Sequence, residues 1–383
     1  MAELKKAVLK KNAAFHIYEV DPRVPSRIYV GVIDAYFSYS WADRFYSIGE
    51  FELFVLPNIE NFRLSSFQKD SVIYKEIECD FSDGIMIIEK GMFVEGGDEG
   101  LQYKISGRSI EKMMDQRAIV PKVDFTTRTS YIDAARQLLL SHFSPSAVDP
   151  NRRIAGLTVV KDPGYIALPE YYIEEDGFYL GDSLDALMES LASKGKFGVK
   201  LRRNSSGLYV YSLYGGRDLS FGNTILTYYI EFSATYNNLL SSDYVITNEN
   251  EKNVMFIAGE APDADSPQPI VMVYNTSTIM TGVMRKEVYS DASSLKREGL
   301  TETQYDNSLR SLGKLRLYGY KVEEAISAQI TSDGNYIYGR DYQMGDIVDI
   351  VTSYGISAKA RFIEIIHSED GNGPQLTPSM EIV

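Results

Sequence analysis

A chain of 383 residues has room for about two to four domains, and 44% apolar with 24% charged residues marks it as globular rather than disordered. Its 53 acidic against 39 basic residues leave a net charge of −14, which argues against a grip on nucleic acid built by neutralising phosphates. Nucleic acid sliding past an acidic wall remains compatible with that balance.

Cys79 is the only cysteine, so an intrachain disulfide and a multi-cysteine zinc site are both excluded. Assembly in a reducing compartment fits. Tyr is the unusual residue, with 28 copies beside 17 Phe and the single Trp41. Aromatic side chains favour sheets, and Tyr favours interfaces because it joins a large apolar body to a polar tip. The basic start, MAELKKAVLKKNAAF, lacks the continuous apolar core of a signal peptide. Lys5, Lys6, Lys10 and Lys11 read as the solvated face of a short helix or arm, with a binding role as the alternative. No run approaches the roughly 20 apolar residues that span a bilayer, so no membrane span is expected.

In chain order, residues 15–105 read mostly as β. Strand signals fall at 15–18, 28–39, 51–56, 71–81, 85–88 and 101–105, with Pro22, Pro25 and Pro57 as punctuation. Many short strands between turn residues suggest a barrel or sandwich. A short helix is predicted from Ser109, with Ile110, Met113 and Met114 at i, i+3, i+4. A second covers 131–143, striped by Ile132, Ala135, Leu138 and Leu139. Residues 144–163 read as loop with a short strand at 156–160. A third helix begins near Ser183, carries Leu184, Leu187, Met188 and Leu191, and ends with Gly195 as the residue past its C-cap. A hairpin over 197–213 turns at 204–207. Helices on a small sheet make this middle region an α+β insert.

Strand signals return at 226–232, 242–247, 254–259 and 270–273, with a polar loop at 261–267. Thr301 and Gln304 predict a capping box, and Tyr305, Leu309 and Leu312 line the helix behind it. A strand at 325–330 and a turn at 332–335 lead into the last hairpin, Tyr342 to Ile366. Its strands, 347–351 and 358–366, flank a turn at Ser353 to Gly355. The second strand alternates imperfectly, as at a bulge or a subunit contact where the environment changes midway. Residues 368–378 read as turn-rich.

Chemistry is sparse. There is no GxSxG, Walker A, HExxH or GxGxxG sequence. His16, His142 and His367 are far apart and read as structural. Asp263 and Asp265 lack the Gly and Glu that would complete a calcium loop. Glu76, Glu78, Asp80, Asp83, Glu174, Glu175, Asp176, Glu323 and Glu324 read as solvated faces of strands, and Cys79 as a core residue. No catalytic, cofactor-binding or metal-binding residue is assigned.

Three stretches nevertheless resemble the tail-hub (tail-tip, baseplate-hub) proteins of long-tailed bacteriophages. The first is Gly107, Arg108, Ser109, Ile110, Met113, Met114 and Arg117. The second is Phe232, Ser233, Tyr236, Asn238 and Leu239. The third is Tyr338, Gly339, Asp341, Tyr342, Gly345, Asp346 and Val348, answered by Arg361 and Glu364. The resemblance implies an α+β, β-rich fold with two antiparallel β-barrel domains, an α+β insert and a small helical excursion. The matching boundaries are 1–115, 116–224, 225–285 with 320–383, and 286–319. It implies a homotrimer closing a ring around a channel, with DNA only in transit. Its implied partners are distal-tail or tail-tube ring proteins, the tape-measure protein, and tip or fibre proteins. The end at Val383 implies no fused lysin or long fibre domain. A cell-wall hydrolase and a carbohydrate-binding tail protein are the rival readings.

Overall fold

The computed structural model describes residues 12–22, 26–66, 73–95, 100–120, 123–125, 128–165, 167, 172–173, 177–179, 183–223, 228–263, 265–275, 280–330 and 335–383. The chain opens with β1 (Phe15–Val20), β2 (Arg27–Ile33), β3 (Tyr36–Arg44), β4 (Glu50–Val55), α1 (Ile59–Ser65), β5 (Tyr74–Cys79), β6 (Ser82–Glu95) and β7 (Leu101–Ser109). A 3-10 turn, Ile110–Met114, stands where a short helix was expected. The middle holds β8 (Val123–Phe125), β9 (Thr129–Ser130), α2 (Tyr131–Phe143), β10 (Thr158–Lys161), β11 (Tyr172–Ile173), β12 (Gly177–Tyr179), α3 (Leu184–Gly195), β13 (Gly198–Arg203) and β14 (Tyr209–Tyr214). Then come β15 (Glu231–Ser233), β16 (Leu239–Thr247), β17 (Val254–Ala258), β18 (Ile270–Tyr274), β19 (Glu287–Asp291), α4 (Glu302–Tyr318), β20 (Glu323–Ile330), β21 (Ile347–Val351), β22 (Ser357–Asp370) and β23 (Gly373–Ile382).

The class is α+β and β-rich. Thirteen strands from both ends of the chain form one sheet, in the order β16-β20-β23-β22-β3-β4-β7-β6-β5-β1-β2, with β21 on β22 and β15 on β21. The seam is β22 against β3, antiparallel from Glu364 opposite Arg44 to Glu369 opposite Tyr39. The imperfect alternation of the last hairpin has its cause here. The first half of β22 pairs with β21 as far as Arg361, and the second half pairs with β3. The β22–β23 register shifts between Phe362 and Glu364, at the change of partner.

Three cores follow from the apolar faces. One gathers Phe15, Trp41, Phe51, Leu53, Ile77 and Ile105 inside β1 to β7. Another gathers Phe45, Phe232, Ile326, Tyr342, Phe362 and Met380 in the last β region. The third runs through α2, α3, β13 and β14 and continues into α4 with β17 and β18. Thus β17 and β18 lie outside the large sheet. β17 pairs with β18 on one side and with β19 on the other, and Gly313 of α4 lies against Ile257 and Val273.

Several elements differ from the sequence reading. Helix α1 was not anticipated; Asn58, straight after Pro57, caps it by accepting a 2.7 Å hydrogen bond from the Asn61 amide. Residues 368–378 are not mainly turn. β22 continues to Asp370, and β23 starts at Gly373. Pro374 and Pro378 masked that strand, because proline removes a ladder donor. The β20–β23 ladder has no pair at Pro378, while β22 still pairs with it through Ile365. At the end of α3 the left-handed residue is Lys196, at φ 56°, and Gly195 is still helical. A Cβ on Gly195 would stand 2.8 Å from the Phe197 ring and 3.0 Å from Tyr131 Cβ, so close packing selects that glycine.

Candidate functional site

Among the described residues, a dense group of charged side chains lies where the β13–β14 hairpin packs against β6 of the large sheet. In β13, GVKLRR, Lys200 and Arg202 lie on one face and Arg203 on the other, so its charges meet partners on both sides. Lys200 Nζ stands 2.9 Å from Asp43 Oδ1, with both side chains buried. The Ser82 hydroxyl donates to Asp43 Oδ2 at 2.6 Å. Burial alone would pull the Lys200 ammonium down; Asp43, Glu111 and Asp83 outweigh it and hold it above the ordinary lysine range. Burial would likewise raise Asp43, but Lys200 and Ser82 keep it below the usual carboxylate range. The two partners agree: this is an ion pair at neutral pH.

Glu76 on β5 is fully buried. It accepts from Arg203 Nη2 at 2.8 Å, Arg203 Nε at 3.0 Å and Arg27 Nη1 at 3.2 Å, and from the Tyr209 hydroxyl at 2.5 Å. This corrects its reading as a solvated carboxylate. Glu111 is also buried and accepts the Leu201 amide at 2.6 Å. Open clefts of about 430 Å³ and about 140 Å³ flank the crossing, and Asp83 and Arg202 line both. Their carboxylates are already matched by cations: Glu78 by Arg27 at 3.0 Å, Asp83 by Arg202, and Asp43 by Lys200.

The remaining sequence candidates fall in separate places. His16 meets Asp80 at 3.0 Å on the surface. His142 is buried, with Nδ1 2.8 Å from the Leu138 carbonyl oxygen. His367 stacks on Phe81 at 4.9 Å, opposite Trp41 in the β22–β3 register. Burial lowers its pKa to about 4. Asp263 accepts the Asp265 amide at 3.0 Å in a local turn. Cys79 is buried in the first core. Glu323 and Glu324 are exposed on β20, and Glu174 to Asp176 lie outside the described residues. No group of three or more His, Cys, Asp or Glu side chains converges among the described residues.

The three motif stretches shape the backbone at junctions. Gly107 lets β7 approach β6: a Cβ there would stand 1.8 Å from the Ile87 carbonyl oxygen. Arg108 holds Glu89 at 2.9 and 3.0 Å, and Lys112 joins them. Ser109 ties β7 to β4 through Gly49, by amide–carbonyl and amide–hydroxyl bonds of 2.8 and 3.0 Å. In the second stretch Asn238 accepts the Ser233 amide and donates to the Glu231 carbonyl, both at 2.8 Å, folding the turn from β15 to β16. In the third, Gly345 sits at φ +87° against Phe45. Asp346 accepts from Arg217 and from the Gln343 amide. Arg361 donates to the Gly215 and Gly345 carbonyls at 2.6 and 2.9 Å, clamping the insert to the last hairpin. Glu364 accepts from Arg44 at 2.7 Å across the β22–β3 seam. Glu381 completes the joint, taking Lys196 at 2.9 Å and the Tyr46 hydroxyl. Asp43, Lys200, Glu111 and Glu381 had no sequence signal; each is an ordinary charged residue until its partner is known.

A fold of this kind, two β regions sewn into one sheet with an α+β body tied to it by buried ion pairs, is a scaffold with rigid joints. Residues 20–380 match the family described as Siphovirus ReqiPepy6 Gp37-like protein. The chain belongs to that family of siphovirus tail proteins. Among solved structures it is similar to a tail protein from Neisseria meningitidis MC58, at 14% identity over 96% of each chain and a TM-score of 0.48. It is similar to the 43 kDa tail protein of prophage MuSo2 from Shewanella oneidensis, at 12% identity over 95% of this chain and 96% of the other, TM-score 0.46. The prophage tail protein gp18 from Listeria monocytogenes EGD-e gives 11% identity over 95% and 94%, TM-score 0.46. No curated protein matches the chain. No helix among the described residues is long and apolar enough to cross a membrane.

Proposed function

We propose that the chain is a structural hub of the phage tail tip or baseplate, three copies of which close a ring that joins the tail tube to the tip or fibres. The observation that carries this reading is the β22–β3 seam, which makes one body of the two β regions and suits a part that transmits load without chemistry. Membership of a tail-protein family supports it. The proposed partners are the neighbouring copies, a tail-tube ring, the tape-measure protein, and tip or fibre proteins, with DNA passing through. We divide the chain into a first β unit, an α+β middle and a last β unit, and count β17 and β18 with α4 because, among the described residues, they form a separate sheet in the order β18-β17-β19.

The reading is non-enzymatic. The cleft carboxylates Glu78 and Asp83 are each held by an arginine, so among the described residues these two do not stand as a free acid and base across the space. The acidic balance of the chain serves either a DNA-repelling lumen or a solvated outer surface. The deciding experiment is the mass of the purified protein in solution and its copy number in assembled tails. Trimers support the hub. A monomer at every concentration, with no trimer in tails, overturns it. Release of reducing sugar or peptide from bacterial cell walls, lost on changing one carboxylate, would move the assignment to a hydrolase.

A further inference from the structure

The α+β middle carries a second group of cations, away from the β13–β6 joint, and these lack the carboxylates that the others have. Arg27, Arg44, Arg108, Arg202, Arg203 and Arg217 each meet an acidic side chain. Among the described residues Arg117 meets none. Its Nη1 donates to the carbonyl of its own neighbour Gln116 at 3.2 Å, and its guanidinium lies 5.4 Å from the centre of the Phe143 ring. Its Nε is buried without a partner. Arg152, at the end of the 3-10 turn Pro150–Arg152, comes to the same place and donates to the Ala118 carbonyl at 3.0 Å. The carboxylate that Arg152 approaches is Asp149, at 3.8 Å, and Asp149 Oδ1 already accepts from the amide and side chain of Asn151. Burial and then Arg152 hold the Arg117 guanidinium below the ordinary arginine range.

Two fully buried side chains beside this pair also have polar atoms without partners. The Tyr211 ring on β14 packs 5.5 Å from Phe143, centre to centre, and its hydroxyl bonds to nothing. His142, next to Phe143 on α2, places Nδ1 at the Leu138 carbonyl and leaves Nε2 unpartnered. Burial keeps its ring neutral, and Arg152 and Arg117 push the same way. Two like charges with one distant counter-charge, beside buried donors that have no acceptor, are a costly arrangement that a bound anion relieves.

We infer that Arg117 and Arg152 hold a phosphate group, with the Tyr211 hydroxyl as a further donor. Two permanently charged, fork-shaped guanidiniums suit an anion with two charges and several oxygens. The Arg152 side chain keeps 20% of its surface in solvent and Arg117 is half-buried, so an ion can reach both. The free ion and phosphate monoesters share this chemistry. The site does not rest on the hub reading and stands or falls apart from it.

Calorimetric titration of the whole protein with inorganic phosphate and with glycerol phosphate, at an ionic strength fixed with sodium chloride, tests this. At least one of the two should bind saturably in the millimolar range or below, and the tighter one identifies the source. Arg117→Gln should weaken that binding roughly ten-fold, and Tyr211→Phe roughly three-fold, as expected for a charged and a neutral donor. Tyr211→Phe keeps the packed ring and serves even where Arg117→Gln does not fold. Arg340→Gln, which changes an exposed arginine already paired with Asp341, should bind as the parent does. Heats no larger than those of added chloride, for both anions, would overturn the inference. Parent-like binding by Tyr211→Phe and Arg117→Gln, or equal weakening by Arg340→Gln, would overturn it as well.

Discussion

Replacing Lys200 with Met should be among the most damaging single changes in the chain. The substitution keeps most of the aliphatic volume and removes the ammonium, leaving the Asp43 carboxylate in a site where only 3% of that residue is exposed. Stripping one partner from a buried ion pair costs about 3–5 kcal/mol, most of it from the charge left uncompensated. Ser82 still donates to Asp43, which places the expected loss near the lower figure, about 3 kcal/mol. The double variant Asp43→Asn with Lys200→Met removes the stranded charge, while the new side-chain amide oxygen can still accept from Ser82. It should recover about 2 kcal/mol. Urea unfolding followed by Trp41 fluorescence is the assay, because Trp41 is fully buried in the adjoining core. A loss below about 1 kcal/mol for the single variant, or a double variant as unstable as the single, would refute the argument that burial of this pair dominates the joint.

Three further outcomes follow from the same geometry. His367 has a folded pKa of about 4 against an ordinary 6.5, so its neutral form is favoured in the folded state. That contribution is complete above pH 6.5 and disappears as pH falls towards 4, for a loss of up to about 3 kcal/mol; His367→Phe, measured across this window, should flatten the parent's decline. Gly345→Ala should cost about 2–3 kcal/mol, since the residue sits at φ +87° and its Cβ would stand 2.3 Å from the buried Phe45 ring; thermal unfolding unchanged from the parent would contradict it. Glu381→Gln should loosen the insert, because Lys196 and Tyr46 both meet that carboxylate. Faster amide exchange in β23 and at the end of α3 is the expected sign, with β4 and β7 unaffected.

The sequence by itself determined most of the local elements, because their causes are local. Apolar spacing marked α2, α3 and α4, the Thr301–Gln304 capping box forms at the start of α4, and the last hairpin lies where its turns and β-branched runs put it. It also held the family resemblance, since turn residues such as Gly345 and Asn238 answer to their own backbone. Tertiary structure decided what those elements join. Nothing within reach of Asp43 along the chain announces Lys200, 157 positions away, and a buried carboxylate such as Glu76 looks in sequence like any solvated one. β23 was hidden because two prolines outweighed its apolar alternation until β22 supplied a ladder that tolerates them. The seam between β22 and β3, which unites the two ends of the chain, depends on which strand edges remain open after local pairing. That is a property of the assembled sheet, because a strand's own two-residue period fixes its faces but not its neighbour.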